Sequence, residues 1–440
     1  MREFLVSAMA QPDPVRAREY ATEVVRVLRA AGFEALWAGG CVRDRLMGRE
    51  PKDYDVATSA MPEQIRSVFG KHRTLPLGAA FGVITVLGPP GAGQVEIATF
   101  RCDATYSDGR HPDRVTYSTA ERDAQRRDFT INGLFFDPLS EHVIDYVGGC
   151  QDLRQRTIRA IGDPHTRIGE DKLRMLRAVR FAATFEFELD DATLAAIEAH
   201  AGEITVVSGE RIADELRRML VHRHRRRAVE LLHQSKLLPA ILPEAESVRT
   251  TEEGSSDPSP ALWDRMLRIL EALDNPTFSA ALAVLLREIY LAAMSNASRI
   301  EDIARRWRLS NHEASGVIAC LACESPLRAA TRTPWPRLQR ILIAPRIDEV
   351  LTYAAAVAQV IDGDTTPIDF CRQKLALPKE ELDPAPLVTG EDLKKLGVPP
   401  GPIYREILER VRDSQLMRLI ETPEAALSLA RRIWSERAGS

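Results

Sequence analysis

The chain has 440 residues, of which 45% are hydrophobic and 28% charged, and its formal net charge is −4. That length holds more than one domain at roughly 100–200 residues each, and the composition excludes a disordered or fibrous chain. No apolar run approaches the ~20 residues that span a bilayer, the N-terminal apolar patch is too short for a signal peptide, and six scattered cysteines suit a reducing compartment. The reading is therefore a cytoplasmic protein without membrane contact, and nothing in the sequence calls for a stable protein partner.

Residues 1–30 read as a helix with Val24, Val25 and Leu28 on one face. LWAGG then ends a strand, CVRDRLMG is a short helix closed by Gly48, YDVAT is a strand, and PEQIRSVFG is a helix opening with Pro62. RTLPL, GVITVLG and QVEIATF read as strands, with PPGAG as a hairpin loop. Residues 101–120 are polar and loop-like. From about residue 150 apolar positions recur at i, i+3, i+4 through LRMLRAVRFAATF, DATLAAIEAHAGEI and ERIADELRRML. Residues 247–260 read as a linker, helices resume at 261–274 and 278–295, a break falls near 331–336, and a polar stretch from Leu382 precedes two last helices. No internal repeat is visible. Cys320 and Cys323 form one C-x-x-C without a second pair, so they read as two small helix residues one turn apart rather than a zinc site. The expected fold class is α+β: a mixed-sheet head over 1–150, then an elongated all-α part divided into a neck (151–220), a body (221–330) and a tail (331–440).

The sharpest constellation is Gly39-Gly40-x-x-Arg43-Asp44 followed by Asp53-Tyr54-Asp55. Residues i and i+2 of a strand project to one face, which sets Asp53 and Asp55 side by side. Like charges so placed repel unless a cation joins them. A Mg2+ pair held there suits in-line displacement at phosphorus, one ion activating the attacking oxygen and one holding the leaving group. The all-oxygen donor set points to Mg2+. The glycine turn lets backbone approach a phosphate at a helix start, and Arg43 reaches towards a triphosphate. Glu96, in the otherwise apolar QVEIATF, is the candidate third catalytic carboxylate; an ion pair with an arginine at the strand edge is the alternative. The net charge argues weakly against RNA binding. The arginine-dense stretch from Arg154 to Arg227 argues the other way, because a local basic stripe binds phosphates on a mildly acidic protein.

Five segments, GGCVRDRLMGREPKDYDVAT, RRDFTINGLFFDP, DLRQRTIRAIGDP, RIGEDKLRMLRAVRFAATF and GERIADELRRML, occur in this order across roughly residues 36–220. The series resembles the class II tRNA nucleotidyltransferase and bacterial poly(A) polymerase family of the polymerase β superfamily. The resemblance implies that Asp53 and Asp55 bind Mg2+, that Gly40 and Arg43 contact the nucleotide, and that Arg127 reaches its ribose or triphosphate with Asp128 and Asn132 supporting the turn. It also implies that the helix carrying Asp171, Arg174, Arg177 and Arg180 stands in for a template. The chemistry agrees: cytosine and adenine both present an amino donor beside a ring-nitrogen acceptor, which a carboxylate and a guanidinium match, whereas uracil and guanine reverse the order. Asp171 and Arg174, at i and i+3, would share a helix face; a surface salt bridge is the alternative.

The implied substrates are CTP, ATP and the acceptor arm of tRNA, recognised by shape and phosphates. The long segment 101–120, with Arg110, His111, Pro112 and Arg114, disfavours an enzyme that adds only CC and leaves an A-adding one open. TLPLGAAFGVITV lacks the Arg-Arg-Phe and His-Val features of bacterial poly(A) polymerases, so the expectation is addition of full CCA. Residues 261–290 resemble the start of an HD-type phosphohydrolase domain, but Arg265 and Arg287-Glu288 stand where metal-binding histidines belong, and no histidine lies between His233 and His312. The stretch reads as scaffold, with no phosphatase or phosphodiesterase activity expected. An RNA-binding protein with a dead head would lack Asp53, Asp55 or Arg43, and all three are present. Antibiotic-modifying nucleotidyltransferases would lack the RRDFT and EDKLRMLR segments.

Overall fold

A computed structural model describes residues 12–79, 82–103, 115–245, 260–293 and 296–438. The chain divides into two compact units, Met1–Pro243 and Glu244–Ser440.

The first unit opens with α1 (Pro14–Ala30). Asp13 caps it, its Oδ1 accepting from the N–H groups of Val15 and Arg16 at 3.0 Å each. The expected face, Val24, Val25 and Leu28, is buried. Then follow β1 (Ala35–Ala38), α2 (Gly40–Leu46), β2 (Asp55–Thr58), α3 (Pro62–Phe69), β3 (Thr74–Gly78), β4 (Val83–Leu87), β5 (Gln94–Thr99), β6 (Arg101–Asp103), β7 (Val115–Tyr117), α4 (Ala120–Gln125), β8 (Leu134–Asp137) and β9 (His142–Asp145). Seven strands form one mixed sheet in the order β3-β4-β5-β2-β1-β8-β9. Within this sheet β2 and β5 pair in parallel, and the other neighbours are antiparallel. Alternation along the strands gives each face its own core. Trp37, Val56, Ile84 and Ile97 join Val24 and Leu28 of α1 on one side, and Leu36, Ala57, Phe100 and Phe135 join Ala120 and Ala124 of α4 on the other.

The segment 101–120 departs from its reading as a loop. Its two ends are β6 and β7, paired antiparallel from Arg101↔Tyr117 to Asp103↔Val115. Arg110, His111, Pro112 and Arg114 lie outside the described residues, as does nearly all of the expected linker.

The same unit continues in helices: α5 (Gly149–Gln155), α6 (Pro164–Glu170), α7 (Leu173–Phe185), α8 (Asp191–His200), α9 (Gly209–Leu220) and α10 (Arg225–Gln234). Two-residue strands, β10 (Thr157–Ile158) and β11 (Glu188–Leu189), pair in parallel between them. Packed against α9 and α10, α7 is buried almost all round, including Leu173, Arg174, Met175, Leu176, Ala178, Val179 and Phe181. Such a helix is held by its surroundings rather than by one apolar stripe.

The second unit is helical throughout its described residues: α11 (Pro260–Ala272), α12 (Phe278–Ala292), α13 (Ser298–Arg306), α14 (Asn311–Arg328), α15 (Trp335–Leu342), α16 (Ile347–Ile361), α17 (Thr366–Leu375), α18 (Pro402–Leu416) and α19 (Pro423–Ala438), with shorter turns between them. Arg287 on α12 is buried. It donates to both oxygens of Glu324 on α14, at 2.9 and 2.7 Å, and the hydroxyl of Tyr353 on α16 donates to the same carboxylate at 2.7 Å. Arg287, Glu324 and Tyr353 thus form a buried network that ties three helices together. Cys320 and Cys323 lie one turn apart on α14 as free thiols.

Candidate active site

The site begins where β1 runs into α2. Gly39 adopts φ +71°, and a Cβ there would stand 2.8 Å from Arg127 Nη1. Both the dihedral and the close approach demand glycine. A Cβ on Gly40 would meet nothing nearer than Arg43 Nη2, at 3.6 Å, so the constraint falls one residue before the glycine that the sequence singles out. Arg43 is buried. It donates through Nη1 to Asn132 Oδ1 at 2.6 Å and through Nε to Asp44 Oδ1 at 2.8 Å, and its guanidinium lies over the rings of Phe185 and Phe181, 4.6 and 5.4 Å from their centroids.

The carboxylates are arranged differently from the strand argument. The strand β2 starts at Asp55, and Asp53 lies in the bend before it, so alternation along one strand does not relate the two. Asp55 instead stands beside Glu96, its register partner across the parallel β2–β5 pair. Partial burial first, and then the charges of Glu96 and Asp53, push the Asp55 carboxyl up to about 6 against the pull of Arg127. Among the described residues no three His, Cys, Asp or Glu side chains converge tightly enough to enclose an ion alone. The chemistry of the set, oxygen donors whose charges raise the proton affinity of Asp55, fits a hard divalent cation that keeps water or substrate oxygens in its remaining positions.

Next to these carboxylates the RRD segment builds a rigid turn. Asp123 of α4, almost fully buried, accepts from Arg127 (Nη2 2.9 Å, Nε 3.2 Å) and from Arg126 (Nη2 2.7 Å, Nε 2.9 Å). Arg127 Nη1 also donates to the Asn132 carbonyl at 3.3 Å. Asn132 Nδ2 donates to Asp128 Oδ1 at 3.0 Å, and Arg177 Nε of α7 donates to Asp128 Oδ2 at 2.8 Å. Burial pushes the Asp128 carboxyl up, but Arg177, Asn132 and the Phe129 N–H outweigh it and hold the group at about 2. A continuous chain, Arg43–Asn132–Asp128–Arg177, therefore runs from the glycine turn to the helix α7.

Asp171 and Arg174 do not share a helix face. Asp171 has extended backbone, φ −147°, between α6 and α7. Its Oδ1 accepts from the Leu173 N–H at 3.0 Å and its Oδ2 from Arg211 Nη2 of α9 at 2.9 Å. Arg174 donates through Nη1 to the Arg167 carbonyl at 2.7 Å and pairs with Glu170 rather than with Asp171. Arg180 is held by Glu215 at 2.6 Å, with its guanidinium 4.2 Å from the Phe181 centroid.

All the sequence-selected residues except Asp53 and Glu96 line one cavity of about 570 Å³: Gly40, Arg43, Asp55, Arg127, Asp128, Asn132, Asp171, Arg174, Arg177 and Arg180. Arg126, Phe181 and Arg211 line it too, and sequence reasoning did not select them. Arg126 adjoins a selected arginine in RRD, but Arg211 meets Asp171 across forty residues, and no local spacing shows such a contact.

A mixed sheet that sets Asp55 and a glycine turn in the wall of an arginine-lined cavity is the arrangement of a nucleotidyltransferase. Residues 35–159 match the Poly A polymerase head domain, and residues 186–248 match the family described as the probable RNA and SrmB-binding site of polymerase A. The CCA-adding enzyme of Latilactobacillus sakei subsp. sakei (strain 23K) is 33% identical over 417 residues, 93% of this chain and 97% of that relative. That of Enterococcus faecalis (strain ATCC 700802 / V583) is 36% identical over 297 residues, 66% of each chain. The solved CCA-adding enzyme of Bacillus stearothermophilus in complex with CTP superposes with a TM-score of 0.72 at 26% identity, covering 96% of this chain and 99% of that one. The chain belongs to the family of CCA-adding enzymes.

Proposed function

We propose that this nucleotidyltransferase adds C, C and A in turn to the 3′ end of tRNA, from CTP and ATP, with release of pyrophosphate and without a template. The observation that carries the reading is the single cavity in which Asp55 and Arg127 face the same space as Asp171, Arg174 and Arg177. Asp53 and Asp55 would hold Mg2+, with Glu96 as the third carboxylate, and the bound ion supplies charge neutralisation at the triphosphate and activation of the attacking hydroxyl. Arg127, braced by Asp123, orients the ribose and triphosphate, and Arg43 fixes the glycine turn beneath them. Asp171 accepts from the amino group of cytosine or adenine, and Arg174 donates to the adjacent ring nitrogen. A carboxylate has about four acceptor positions, so the bonds from Leu173 and Arg211 leave Asp171 capacity for a base. Uracil and guanine would set a carbonyl against Asp171 and a ring N–H against Arg174, and are refused on that ground.

In the same reading residues 1–150 are the head, 151–220 the neck, 221–330 the body and 331–440 a tail that helps hold the acceptor arm of tRNA. The setting is cytoplasmic, where thiols such as these stay reduced.

Three tRNA transcripts test the proposal: one ending before CCA, one after CC and one complete, each incubated with Mg2+ and labelled CTP or ATP. The expected outcome is C, C and A on the first, A alone on the second and nothing on the third. No addition to the first transcript, addition of CC alone to it, or an A tail on the third would each overturn it.

A further inference from the structure

Beyond the nucleotide cavity, two histidines of the neck meet through their ring nitrogens. His165, in the first turn of α6, is exposed, and His200 closes α8. Their rings stand edge to face with centroids 5.3 Å apart, and His165 Nδ1 faces His200 Nε2 at 3.2 Å. The other nitrogen of His200, Nδ1, lies 2.6 Å from Glu203 Oε1. Glu203 Oε2 in turn lies 2.5 Å from Lys172 Nζ, and Lys172 adjoins Asp171 in the chain.

An accepting carboxylate at Nδ1 places the proton of neutral His200 there, which leaves the Nε2 lone pair directed at His165. Two imidazole nitrogens at corners of a tetrahedral zinc site, each about 2.0–2.1 Å from the metal, stand about 3.3–3.4 Å apart. The observed 3.2 Å nearly matches this, so the pair can close on a metal by turning the two rings while the nitrogens keep nearly their present separation. Metal-bound histidines regularly donate their second N–H to a carboxylate, which fixes the tautomer and raises ligand basicity; Glu203 already occupies that position.

We propose that His165 Nδ1 and His200 Nε2 bind a divalent transition metal of the zinc class, with Glu203 supporting His200. Among the described residues no third His, Cys, Asp or Glu completes the set, so water fills the other positions and the metal exchanges. Imidazole selects zinc, copper or nickel over magnesium, which separates this site from the carboxylates of the head. One ligand comes from α6 and one from α8, and Glu203 is shared with Lys172. Occupancy therefore clamps two helices beside the turn that carries Asp171.

The test uses chelator-stripped full-length protein in saturating Mg2+, titrated with Zn2+ against a chromophoric chelator and followed by thermal unfolding. Wild type is expected to bind one Zn2+ more than the His165→Ala/His200→Ala variant and to show a Zn2+-dependent rise in Tm that the variant lacks. Glu203→Gln is expected to weaken the site by about 10-fold or more. The cysteines are common to all these proteins and cancel in the comparison. His165→Asn alone, at an exposed position, is expected to lose the same equivalent, and it and the double variant should add nucleotides with Mg2+ as wild type does, which separates loss of the site from loss of the fold. Equal Zn2+ stoichiometry and equal Tm response in wild type and both variants would overturn the proposal.

Discussion

Single residues decide how tightly the cavity is built. At Gly39 a methyl group would face both a backbone conformation that costs about 1–3 kcal/mol for other residues and the Arg127 guanidinium at 2.8 Å. Arg127 would have to leave Asp123 or the Asn132 carbonyl to make room. Gly39→Ala should therefore lose at least about tenfold in kcat/KM for CTP, each tenfold being about 1.4 kcal/mol, whereas Gly40→Ala should stay near wild type; equal losses in single-turnover incorporation would contradict this. Arg211 poses a different question, since it touches only one oxygen of Asp171. Without it, the carboxylate keeps the Leu173 N–H and gains freedom to turn. Removing such a charged partner costs about 1–3 kcal/mol, so Arg211→Ala should lower the preference for CTP over UTP by about 10- to 100-fold while triphosphate chemistry continues. An unchanged ratio of kcat/KM for the two nucleotides would reduce Arg211 to a packing role.

Between elements, buried ion pairs act as joints, and each has a signature. Asp128 joins the RRD turn to α7 through Arg177. Its folded value of about 2 lies below the ordinary 3.8, so the stability it contributes is complete above the ordinary carboxylate range and is lost as pH falls from about 4 through 2. The contribution is about 2 kcal/mol. Asp128→Asn should lower the urea midpoint at pH 7 and flatten its fall between about pH 4 and 2; parallel curves would show that the pair does not titrate as described. In the second unit, Glu324 receives Arg287 and Tyr353 together. Removing one partner of a buried pair costs about 3–5 kcal/mol, whereas replacing both by apolar groups is often neutral. Glu324→Leu should lower Tm sharply, and Arg287→Met added to it should restore most of the loss. A double variant as unstable as the single one would place the defect in packing rather than in the stranded charge.

At the scale of the molecule, the sequence discloses what local periodicity and local spacing encode. The alternation in GVITVLG and QVEIATF, the helical spacing of LRMLRAVRFAATF, and the neighbourhood of Gly39, Arg43 and Asp55 are all local, and the structure brings them together. What stayed hidden is either non-local or a competition between two local preferences. Asp55 meets Glu96 only because β2 pairs with β5, with two strands between them in the chain. Arg211 reaches Asp171 through the packing of α9 on α7. The helical rhythm of RIGEDKLRMLR runs on without a visible stop, yet Asp171 leaves the helix because its own side chain binds the Leu173 N–H, the local bond by which Asp interrupts helices and starts new ones. The ends of segment 101–120 pair as strands despite their polarity, since edge ribbons need no apolar face.

The chain of side chains from Arg43 through Asn132 and Asp128 to Arg177 also constrains how such proteins can be recombined. Its members come from segments far apart in the sequence, so a chimera with a crossover between Asn132 and Arg177 takes the two ends from different parents and fits them only if both parents matched the same four residues. A crossover beyond Leu220 leaves the whole chain, with Arg211 and Glu215, to a single parent. In the proposed reading the speed of bond formation and the accuracy of base choice are thus inherited together, and the exchangeable boundary lies beyond Leu220 rather than near residue 150.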